Sequence, residues 1–177
     1  MDSMVGYYKN INPAILDKAK KVKLLLTDSD GVLTDTGVYY SEKGEELKRF
    51  SIRDGMGVER LRRLADVETG IITGEISGAV RARANKLNLK EFHEGVKNKL
   101  DVLQDIICRN NIITENVAYI GDDTNDIEVL KTVGLSACPA DAVIQIKQIV
   151  NFITESKGGY GAFRDFAELI IASKFKS

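Results

Sequence analysis

A chain of 177 residues, of which 44% are hydrophobic, is long enough to bury the core of one domain. Its 25 Lys and Arg residues balance 26 Asp and Glu residues, so the formal net charge is −1 and a basic nucleic-acid-binding protein is disfavoured. No stretch approaches the roughly 20 apolar residues of a membrane span, and residues 1–10 lack the apolar core of a signal peptide. We expect one domain over residues 1–177, located in the cytoplasm, with neither nucleic acid nor membrane as a partner.

The predicted elements alternate between helices and strands along the chain. Short apolar runs between turn-forming residues predict strands at residues 22–27, 68–73, 91–92, 117–120 and 135–138. Apolar residues at helical spacing predict helices at residues 7–21, 58–64, 75–87, 100–107 and 127–130, and two more helices close the chain. Between the first strand and the first long helix, residues 37–50 predict a β-hairpin with arms at 38–40 and 47–50.

Strands that alternate with helices are typical of a parallel sheet covered on both faces. We therefore expect an α/β fold, a doubly wound parallel sheet with a β-hairpin flap inserted at residues 36–50. Residues 1–21 would form an N-terminal leader helix, and residues 158–177 a C-terminal tail and helix. Ligands of such sheets bind beyond the carboxyl ends of the strands. The residues that follow each strand are therefore the candidates for chemistry.

Two acidic clusters follow predicted strands. Asp28 and Asp30 end the first strand, and because side chains two residues apart in extended backbone point the same way, their carboxylates project together. Asp122 and Asp126 follow the strand at residues 117–120. Oxygen ligands without cysteine or histidine suit Mg²⁺. One such cluster alone is more simply a turn or a helix cap, whereas two at the same edge of a sheet favour a metal site.

Thr73 and Lys99 are weaker candidates at the same edge. Thr73 ends the second long strand and could donate a hydrogen bond to a phosphoryl oxygen, although Thr-Gly-Glu is also an ordinary helix start. Lys99 begins a predicted helix and could neutralise a carboxylate and a phosphate, although a lone lysine is more often solvated and Lys97 is a competitor.

In order, the motifs are Asp28-Ser29-Asp30-Gly31-Val32, Thr73, Lys99 and Gly121-Asp122-x-x-x-Asp126. This order resembles the haloacid dehalogenase superfamily across nearly the whole chain. The resemblance implies that Asp28 is the nucleophile, which forms an aspartyl-phosphate, and that Asp30 is the acid for the leaving alcohol and then the base for water. It implies that Thr73 and Lys99 hold the phosphoryl group.

The same resemblance implies the metal ligands, namely Asp28, the carbonyl of Asp30, and Asp122, with Asp126 supporting them from behind. A carboxylate attacks phosphorus only when its repulsion from the phosphate is relieved, and Mg²⁺ with a lysine supplies that relief. An acid at position 30 can protonate an alkoxide leaving group, which favours a phosphatase over a dehalogenase.

Most phosphatases of this superfamily carry an inserted cap domain, but only about 40 residues separate Asp30 from Thr73 here. We therefore expect no cap domain, and a site closed by another chain. The hairpin carries Val38, Tyr39, Tyr40 and Phe50, which one small sheet cannot bury fully. Packing on their own domain is the simpler alternative, and an interface between subunits is favoured over it.

Four segments resemble the capless subfamily that dephosphorylates 3-deoxy-2-ulosonic acid phosphates. They are residues 30–35, 53–57, 119–123 and 158–164. The resemblance implies a homotetramer in which neighbouring subunits cap each site, and a phosphorylated sugar acid as the substrate. It places the glycine-rich tail near the site, where Arg164 could grip the substrate, unless that tail is merely a flexible helix start.

The choice of sugar acid depends on the segment after Thr73. The octulosonate 8-phosphate enzymes tend to have arginine where Glu75 stands, whereas Glu75 with Arg83 and Lys86 resembles the phosphatases of nine-carbon, sialic-acid-type 9-phosphates. Glu75 could accept hydrogen bonds from sugar hydroxyls, while Arg83 and Lys86 could attract the carboxylate. These three residues could equally be a solvated helix surface. The sequence thus leans slightly to the 9-phosphate, with the 8-phosphate as the alternative.

Two other classes of protein compete with this interpretation. A receiver-type signalling domain also uses Asp, Thr and Lys around Mg²⁺, but its phosphorylated Asp lies on a later strand. A non-catalytic homologue that serves as an oligomerisation module should have lost its nucleophile or a metal ligand. Asp28, Asp30, Lys99 and Asp122 are all present, so both alternatives are disfavoured.

Overall fold

The computed structural model describes residues 11–175 and contains a parallel sheet of six strands. Its strands are β1 (Leu24–Thr27), β4 (Glu68–Ile72), β5 (Glu91–His93), β6 (Val117–Ile120), β7 (Leu135–Cys138) and β8 (Phe152–Ile153). Their order across the sheet is β5-β4-β1-β6-β7-β8, with every pairing parallel. The predicted doubly wound α/β fold is confirmed, and β8 is a strand that the sequence did not indicate.

The central strand β1 is buried along its whole length, as expected of a strand covered on both faces. Its last residue, Thr27, lies opposite Ile71 of β4 and Ile120 of β6. Because the three strands run the same way and end in register, the segments that follow them meet at one edge. This register brings together the residues after β1, β4 and β6.

Helices cover both faces of the sheet. They are α1 (Pro13–Lys20), α2 (Ile52–Ala65), α3 (Gly78–Lys86), α4 (Lys99–Asn110), α5 (Ile127–Thr132), α6 (Ile144–Lys147) and α7 (Ala162–Phe175). Buried residues of α1, α2, α3 and α7 form one apolar core with Leu25 of β1. Buried residues of α4, α5 and α6 form the other core, with Leu24 and Leu26. Successive side chains of β1 therefore point to opposite faces of the sheet and contribute to both cores.

The start and the end of the chain were predicted to be helical. Helix α1 begins at Pro13, after Asn12, whose side chain accepts a hydrogen bond from the Ala14 N–H at 3.0 Å. Residues 1–10, including the first part of the predicted helix at 7–21, lie outside the described residues, as do residues 176 and 177. No helix within residues 11–175 is long and apolar enough to cross a membrane.

The hairpin consists of β2 (Tyr39–Ser41) and β3 (Gly44–Leu47), which pair antiparallel. The second arm begins earlier than predicted, because Gly44 has φ +105° and permits a tight turn at residues 42 and 43. As a result Phe50 lies beyond the strand and bridges Thr34 at the base of the hairpin.

The two cysteines and the single histidine occupy different surroundings. Cys138 is buried in β7, whereas Cys108 is exposed on α4. His93 ends β5, and its ring Nε2 lies 3.0 Å from Oε2 of Glu91. That contact pairs His93 with Glu91 at the end of β5.

Candidate active site

The loop after β1 carries the two predicted catalytic carboxylates. Asp28 is only 5% exposed, and its Oδ1 accepts a hydrogen bond from the Ser29 N–H at 2.7 Å. Asp30 is half-buried and faces the cleft, where its Oδ1 accepts a hydrogen bond from the Thr34 hydroxyl at 3.0 Å. Its Oδ2 lies 2.6 Å from Nζ of Lys48, which comes from the hairpin. The loop therefore holds one carboxylate inside the protein and the other at the surface of the cleft.

Lys99 is the first residue of α4 and reaches inward to the carboxylates. Its Nζ lies 2.9 Å from Oδ2 of Asp28 and 2.7 Å from Oδ1 of Asp126. Burial lowers the pKa of Lys99, but the two carboxylates outweigh it and hold that pKa above its ordinary value. A permanently charged ammonium group therefore lies against Asp28. Lys97, the competitor in the sequence, is exposed.

Asp126 is fully buried, and both of its carboxylate oxygens are occupied. Oδ1 accepts hydrogen bonds from the Tyr119 hydroxyl at 2.7 Å and from Lys99. Oδ2 accepts from the backbone N–H groups of Asp122 at 3.1 Å and Asp123 at 3.5 Å. Asp126 therefore fixes the loop after β6 and holds Lys99.

Asp122 is differently placed. Within residues 11–175, no hydrogen-bond partner reaches its buried Oδ1. Burial first, and then the negative charges of Asp28 and Asp126, raise the pKa of Asp122 to about 8. Burial and the charge of Asp126 likewise raise the pKa of Asp28 to about 7, against the opposing effect of Lys99. The carboxylates of Asp28 and Asp122 therefore repel each other, and the charge of Lys99 does not offset this repulsion.

This crowding fits a divalent cation. One carboxylate oxygen from each of Asp28, Asp122 and Asp126 lies within 4.8 Å of the others. A hard cation such as Mg²⁺ takes oxygen ligands of this kind, and an unpartnered buried carboxylate oxygen is the group that it would satisfy. The predicted ligand set of Asp28, the carbonyl of Asp30 and Asp122 shares two carboxylates with this triad. The third carboxylate, Asp126, already accepts hydrogen bonds at both of its oxygens.

Thr73 lies at the end of β4 and is 1% exposed. Its backbone N–H donates to the carbonyl of His93 at 2.9 Å, and it lines the cleft. The cleft has a volume of about 260 Å³ and also contains Asp28, Asp30, Glu75 and Asp122 among its lining residues. Helix α3 is capped by Ser77, and the Thr73 hydroxyl accepts a hydrogen bond from the Glu75 N–H at 3.4 Å.

The other predicted substrate-binding residues lie away from the cleft of their own chain. The Arg83 guanidinium donates to the carbonyl of Ser51 at 2.9 Å. Lys86 is exposed at the last turn of α3, the end remote from Ser77. Arg164 donates through Nε to Glu168 at 2.7 Å. Of the four, only Glu75 lines the cleft, because α3 starts late and runs away from the sheet edge.

The glycine-rich segment that precedes α7 lies against the loop after β1. The Gly159 N–H donates to the carbonyl of Val32 at 2.8 Å, and a Cβ on Gly159 would lie 2.6 Å from backbone atoms of Thr34 and Asp35. Arg49 joins the two segments, since it donates to Asp35 at 2.7 Å and to the Gly159 carbonyl at 2.9 Å. The glycine-rich segment therefore packs against the loop that follows β1 and carries Asp28 and Asp30.

Several residues of the site were missed from the sequence. Lys48 contacts Asp30 and Tyr119 contacts Asp126, and three further residues line the cleft, namely Thr36, Asp123 and Asn125. Asp123 and Asn125 lie within a motif already recognised, so their position was available. Nothing in the sequence distinguishes Lys48 from other hairpin lysines. The only signal for Tyr119 is that it is the one residue with a polar group in the apolar strand β6.

A model of the haloacid dehalogenase-like hydrolase family matches residues 69–162. The 3-deoxy-D-manno-octulosonate 8-phosphate phosphatase of Salmonella typhimurium is 37% identical over 174 residues, which are 98% of this chain and 92% of that protein. A crystal structure of the phosphatase of the same name from Yersinia pestis has a TM-score of 0.88 at 36% identity, over 91% of this chain and 86% of that chain. Another, from Moraxella catarrhalis in complex with magnesium ion, phosphate ion and KDO, has a TM-score of 0.87 at 33% identity, over 90% of this chain and 91% of that chain.

The chain belongs to the haloacid dehalogenase-like hydrolases, and it is a hydrolase of phosphate monoesters. Within that family it belongs to the capless subfamily of 3-deoxy-2-ulosonic acid phosphate phosphatases. The resemblance predicted from the motifs is therefore confirmed. This assignment removes the receiver domain and the non-catalytic module as alternatives, since Asp28, Lys99 and Asp122 are assembled in one site.

Proposed function

We propose that this protein hydrolyses 3-deoxy-D-manno-octulosonate 8-phosphate to the free sugar acid and phosphate, with Mg²⁺ as its cofactor. The observation that carries the proposal is the pairing of Asp28 with Lys99 at 2.9 Å beside the unpartnered Asp122, at the floor of an open cleft. The 8-phosphate replaces the 9-phosphate that the sequence favoured. The named relatives act on the 8-phosphate, and Arg83 and Lys86 lie outside the cleft that they were expected to line.

In the first step Asp28 acts as the nucleophile toward phosphorus. A bond forms between a carboxylate oxygen of Asp28 and phosphorus, the ester P–O bond breaks, and the leaving oxygen takes a proton from the carboxyl group of Asp30. Lys99 offsets the negative charge that the carboxylate and the phosphoryl group bring together. Thr73, at the end of β4, would donate its hydroxyl to a phosphoryl oxygen.

In the second step water attacks the aspartyl-phosphate. The carboxylate of Asp30 takes a proton from the water, and the oxygen of the water bonds to phosphorus. The bond between phosphorus and Asp28 breaks at the same time. Asp28 returns as a carboxylate, Asp30 returns protonated, and phosphate leaves. One water molecule is consumed for each ester, so both groups finish the cycle in their starting state.

Mg²⁺ would be held by Asp28, the backbone carbonyl of Asp30 and Asp122, while Asp126 keeps Lys99 and the loop after β6 in place. When bound, the ion supplies positive charge to the phosphoryl oxygens. It would also satisfy the buried Oδ1 of Asp122 and relieve its repulsion from Asp28. The position of Gly31 supports this assignment, because a Cβ there would overlap the Asp122 carboxylate.

We propose further that the cytoplasmic protein assembles as a homotetramer in which neighbouring subunits cap each cleft. The hairpin supports this, because Tyr39 and Tyr40 are 62% and 73% exposed and Leu47 is 64% exposed. Within residues 11–175, no second domain covers the cleft. Sedimentation equilibrium of the protein and of a Tyr39→Ser, Leu47→Ser variant tests the proposal. A wild type that stays monomeric would contradict it.

The deciding experiment measures Mg²⁺-dependent phosphate release from the octulosonate 8-phosphate and the nonulosonate 9-phosphate side by side. We expect a higher kcat/KM for the 8-phosphate, loss of activity by at least about 10³-fold in Asp28→Asn, and no change in Asp105→Asn, an exposed carboxylate of α4. A preference for the 9-phosphate would replace the substrate but keep the chemistry. Release that survives Asp28→Asn would refute the proposed nucleophile.

A further inference from the structure

Lys48 is a buried lysine on an otherwise exposed hairpin. Its side chain is 1% exposed, whereas the strand residues Tyr39, Tyr40 and Leu47 are largely in solvent. Its Nζ lies 2.6 Å from Oδ2 of Asp30 and 3.2 Å from Oε2 of Glu45. Lysine is rarely buried to this extent unless its charge is paired, and here two carboxylates pair it.

The contacts of Lys48 continue across the mouth of the cleft. Glu45, on β3, accepts a hydrogen bond from the hydroxyl of Ser77. Ser77 caps α3, the helix that follows Thr73 and Glu75. A chain of polar contacts thus runs from Asp30, on the β1 side of the cleft, through Lys48 and Glu45 to the β4 side. The hairpin is tied to both walls of the site rather than standing clear of it.

The same contacts fix the orientation of the Asp30 carboxyl group. One oxygen accepts from the Thr34 hydroxyl at 3.0 Å and the other from Lys48 at 2.6 Å, so rotation about the side chain would break both hydrogen bonds. Thr34 belongs to the same loop as Asp30, whereas Lys48 is the contact that comes from outside it. The direction in which Asp30 faces the cleft therefore depends on the position of the hairpin.

We propose that Lys48 is a positioning residue for the reaction, which aims the Asp30 carboxyl group at the leaving oxygen of the substrate. This inference rests on the proposed function, because it gives Asp30 the role of acid in the first step. If the acid is misplaced, P–O cleavage becomes slower, and it slows most for esters whose leaving oxygen must receive a proton. A sugar alkoxide or a phenolate needs that proton, and a p-nitrophenolate leaves without it.

The test compares three phosphate esters with the holoenzyme in Mg²⁺, namely the octulosonate 8-phosphate, phenyl phosphate and p-nitrophenyl phosphate. The variants are Lys48→Met, Lys48→Arg and Lys43→Met, an exposed lysine in the turn of the same hairpin. The quantity to compare is kcat/KM, which includes P–O cleavage and excludes hydrolysis of the aspartyl-phosphate that all three esters share. The two aryl esters lack the sugar acid, so a lost contact to the sugar cannot separate them.

For Lys48→Met we expect kcat/KM to fall roughly 10- to 100-fold with the sugar acid phosphate and phenyl phosphate, and less than about 3-fold with p-nitrophenyl phosphate. Lys48→Arg should restore part of the loss, and Lys43→Met should match the wild type. Glu45→Gln, which weakens the hold on Lys48 without removing it, should show the same pattern with smaller losses. It provides the answer if Lys48→Met does not fold.

Equal losses with all three esters would overturn the proposal and leave Lys48 with a structural role. Wild-type values for Lys48→Met would overturn it as well. A wild type that is inactive toward every ester would refute the proposed function and this proposal with it. By contrast, an active wild type with equal losses in the variant would refute the role of Lys48 alone.

Discussion

The backbone of Gly31 lies directly against the carboxylate of Asp122. Gly31 has φ +81°, a left-handed conformation, and a Cβ at this position would overlap Asp122. The two residues come from loops after neighbouring strands, β1 and β6, and the absence of a side chain at position 31 leaves room for the Asp122 carboxylate. Glycine is therefore required at position 31 for two separate reasons, the backbone conformation and the space for a metal ligand.

Gly31→Ala should weaken Mg²⁺ binding by at least about 10-fold, because the new methyl group displaces Asp122. The measurement is the Mg²⁺ concentration that gives half-maximal activity, together with the Mg²⁺-induced rise in Tm. Gly44→Ala is the matched control, since Gly44 has φ +105° but nothing within 4 Å of a Cβ. Both variants should lose about 1 kcal/mol from backbone strain. Equal Mg²⁺ affinity in the two variants would contradict the prediction.

Tyr119→Phe removes the hydroxyl that donates to Oδ1 of Asp126 at 2.7 Å in a fully buried setting. We expect the free energy of unfolding to fall by about 1–3 kcal/mol, because a buried carboxylate loses a hydrogen bond. Urea denaturation measures the change. Asp105→Asn, at an exposed side chain of α4, should change stability by less than about 0.5 kcal/mol. Similar losses in the two variants would show that the Asp126 contact contributes little.

The metal-free protein should lose stability as the pH rises. The pKa of Asp28 is raised to about 7 and that of Asp122 to about 8, so the folded state binds more protons than the unfolded state between about pH 4 and pH 8. Their contribution to stability is complete below about pH 4 and is lost as the pH passes through these values. Mg²⁺ competes with the protons, so its stabilising effect should grow over the same range.

Thermal denaturation with and without Mg²⁺, in mildly acidic buffer and at about pH 8, checks this dependence. The Mg²⁺-induced shift in Tm should be larger at the higher pH. Asp122→Asn removes one of the two titrating carboxylates and should flatten the decline in stability of the metal-free protein. A shift in Tm that is the same at both pH values would indicate that the ion binds elsewhere.

Asp54 provides a separate effect of pH, distant from the metal ligands. Its Oδ1 accepts from the Arg164 N–H at 2.9 Å at the start of α7, and no partner among residues 11–175 reaches its buried Oδ2. Burial raises the pKa of Asp54 to about 6 despite the hydrogen bond from Arg164. Its contribution to stability is therefore present below about pH 4 and is lost as the pH rises through about 6.

Asp54→Asn keeps the acceptor for Arg164 and removes the ionisation. The variant should be more stable than the wild type above about pH 6, by at most ~3 kcal/mol from two units of pKa at about 1.4 kcal/mol each. Denaturation in urea across this range measures the difference, with Asp105→Asn as an exposed control. A difference that does not change with pH would mean that Asp54 is not the group that titrates.

The sequence was most informative where local position decides the outcome. Asp28, Thr73 and Asp122 follow strands of one parallel sheet, and the shared direction of those strands brings their ends together without further information. The contact between Lys48 and Asp30 could not be predicted in this way, because it depends on how the hairpin folds back over the cleft. The hydrophobic pattern of the sequence does not predict the angle at which the hairpin folds back.

Helix α3 shows the opposite case, in which the local sequence placed an element boundary too early. The predicted helix starts at residue 75, directly after Thr73 and Gly74, whereas α3 starts at Gly78. The helix is instead capped by Ser77 and begins at Gly78, and neither Arg83 nor Lys86 lines the cleft of its own chain. Serine is the better N-cap residue of the two, so capping preference favours the later start.

The packing of Gly158 and Gly159 against the loop at residues 31–35 has a consequence for synthesis on the ribosome. Asp28 is translated before the glycine-rich segment that supports its loop. While the glycine-rich segment is still inside the ribosome, the nascent chain already contains every proposed catalytic side chain. The loop that carries Asp28, however, is not yet supported. Phosphatase activity should begin only after that segment has emerged, and a truncation before Gly158 should abolish it.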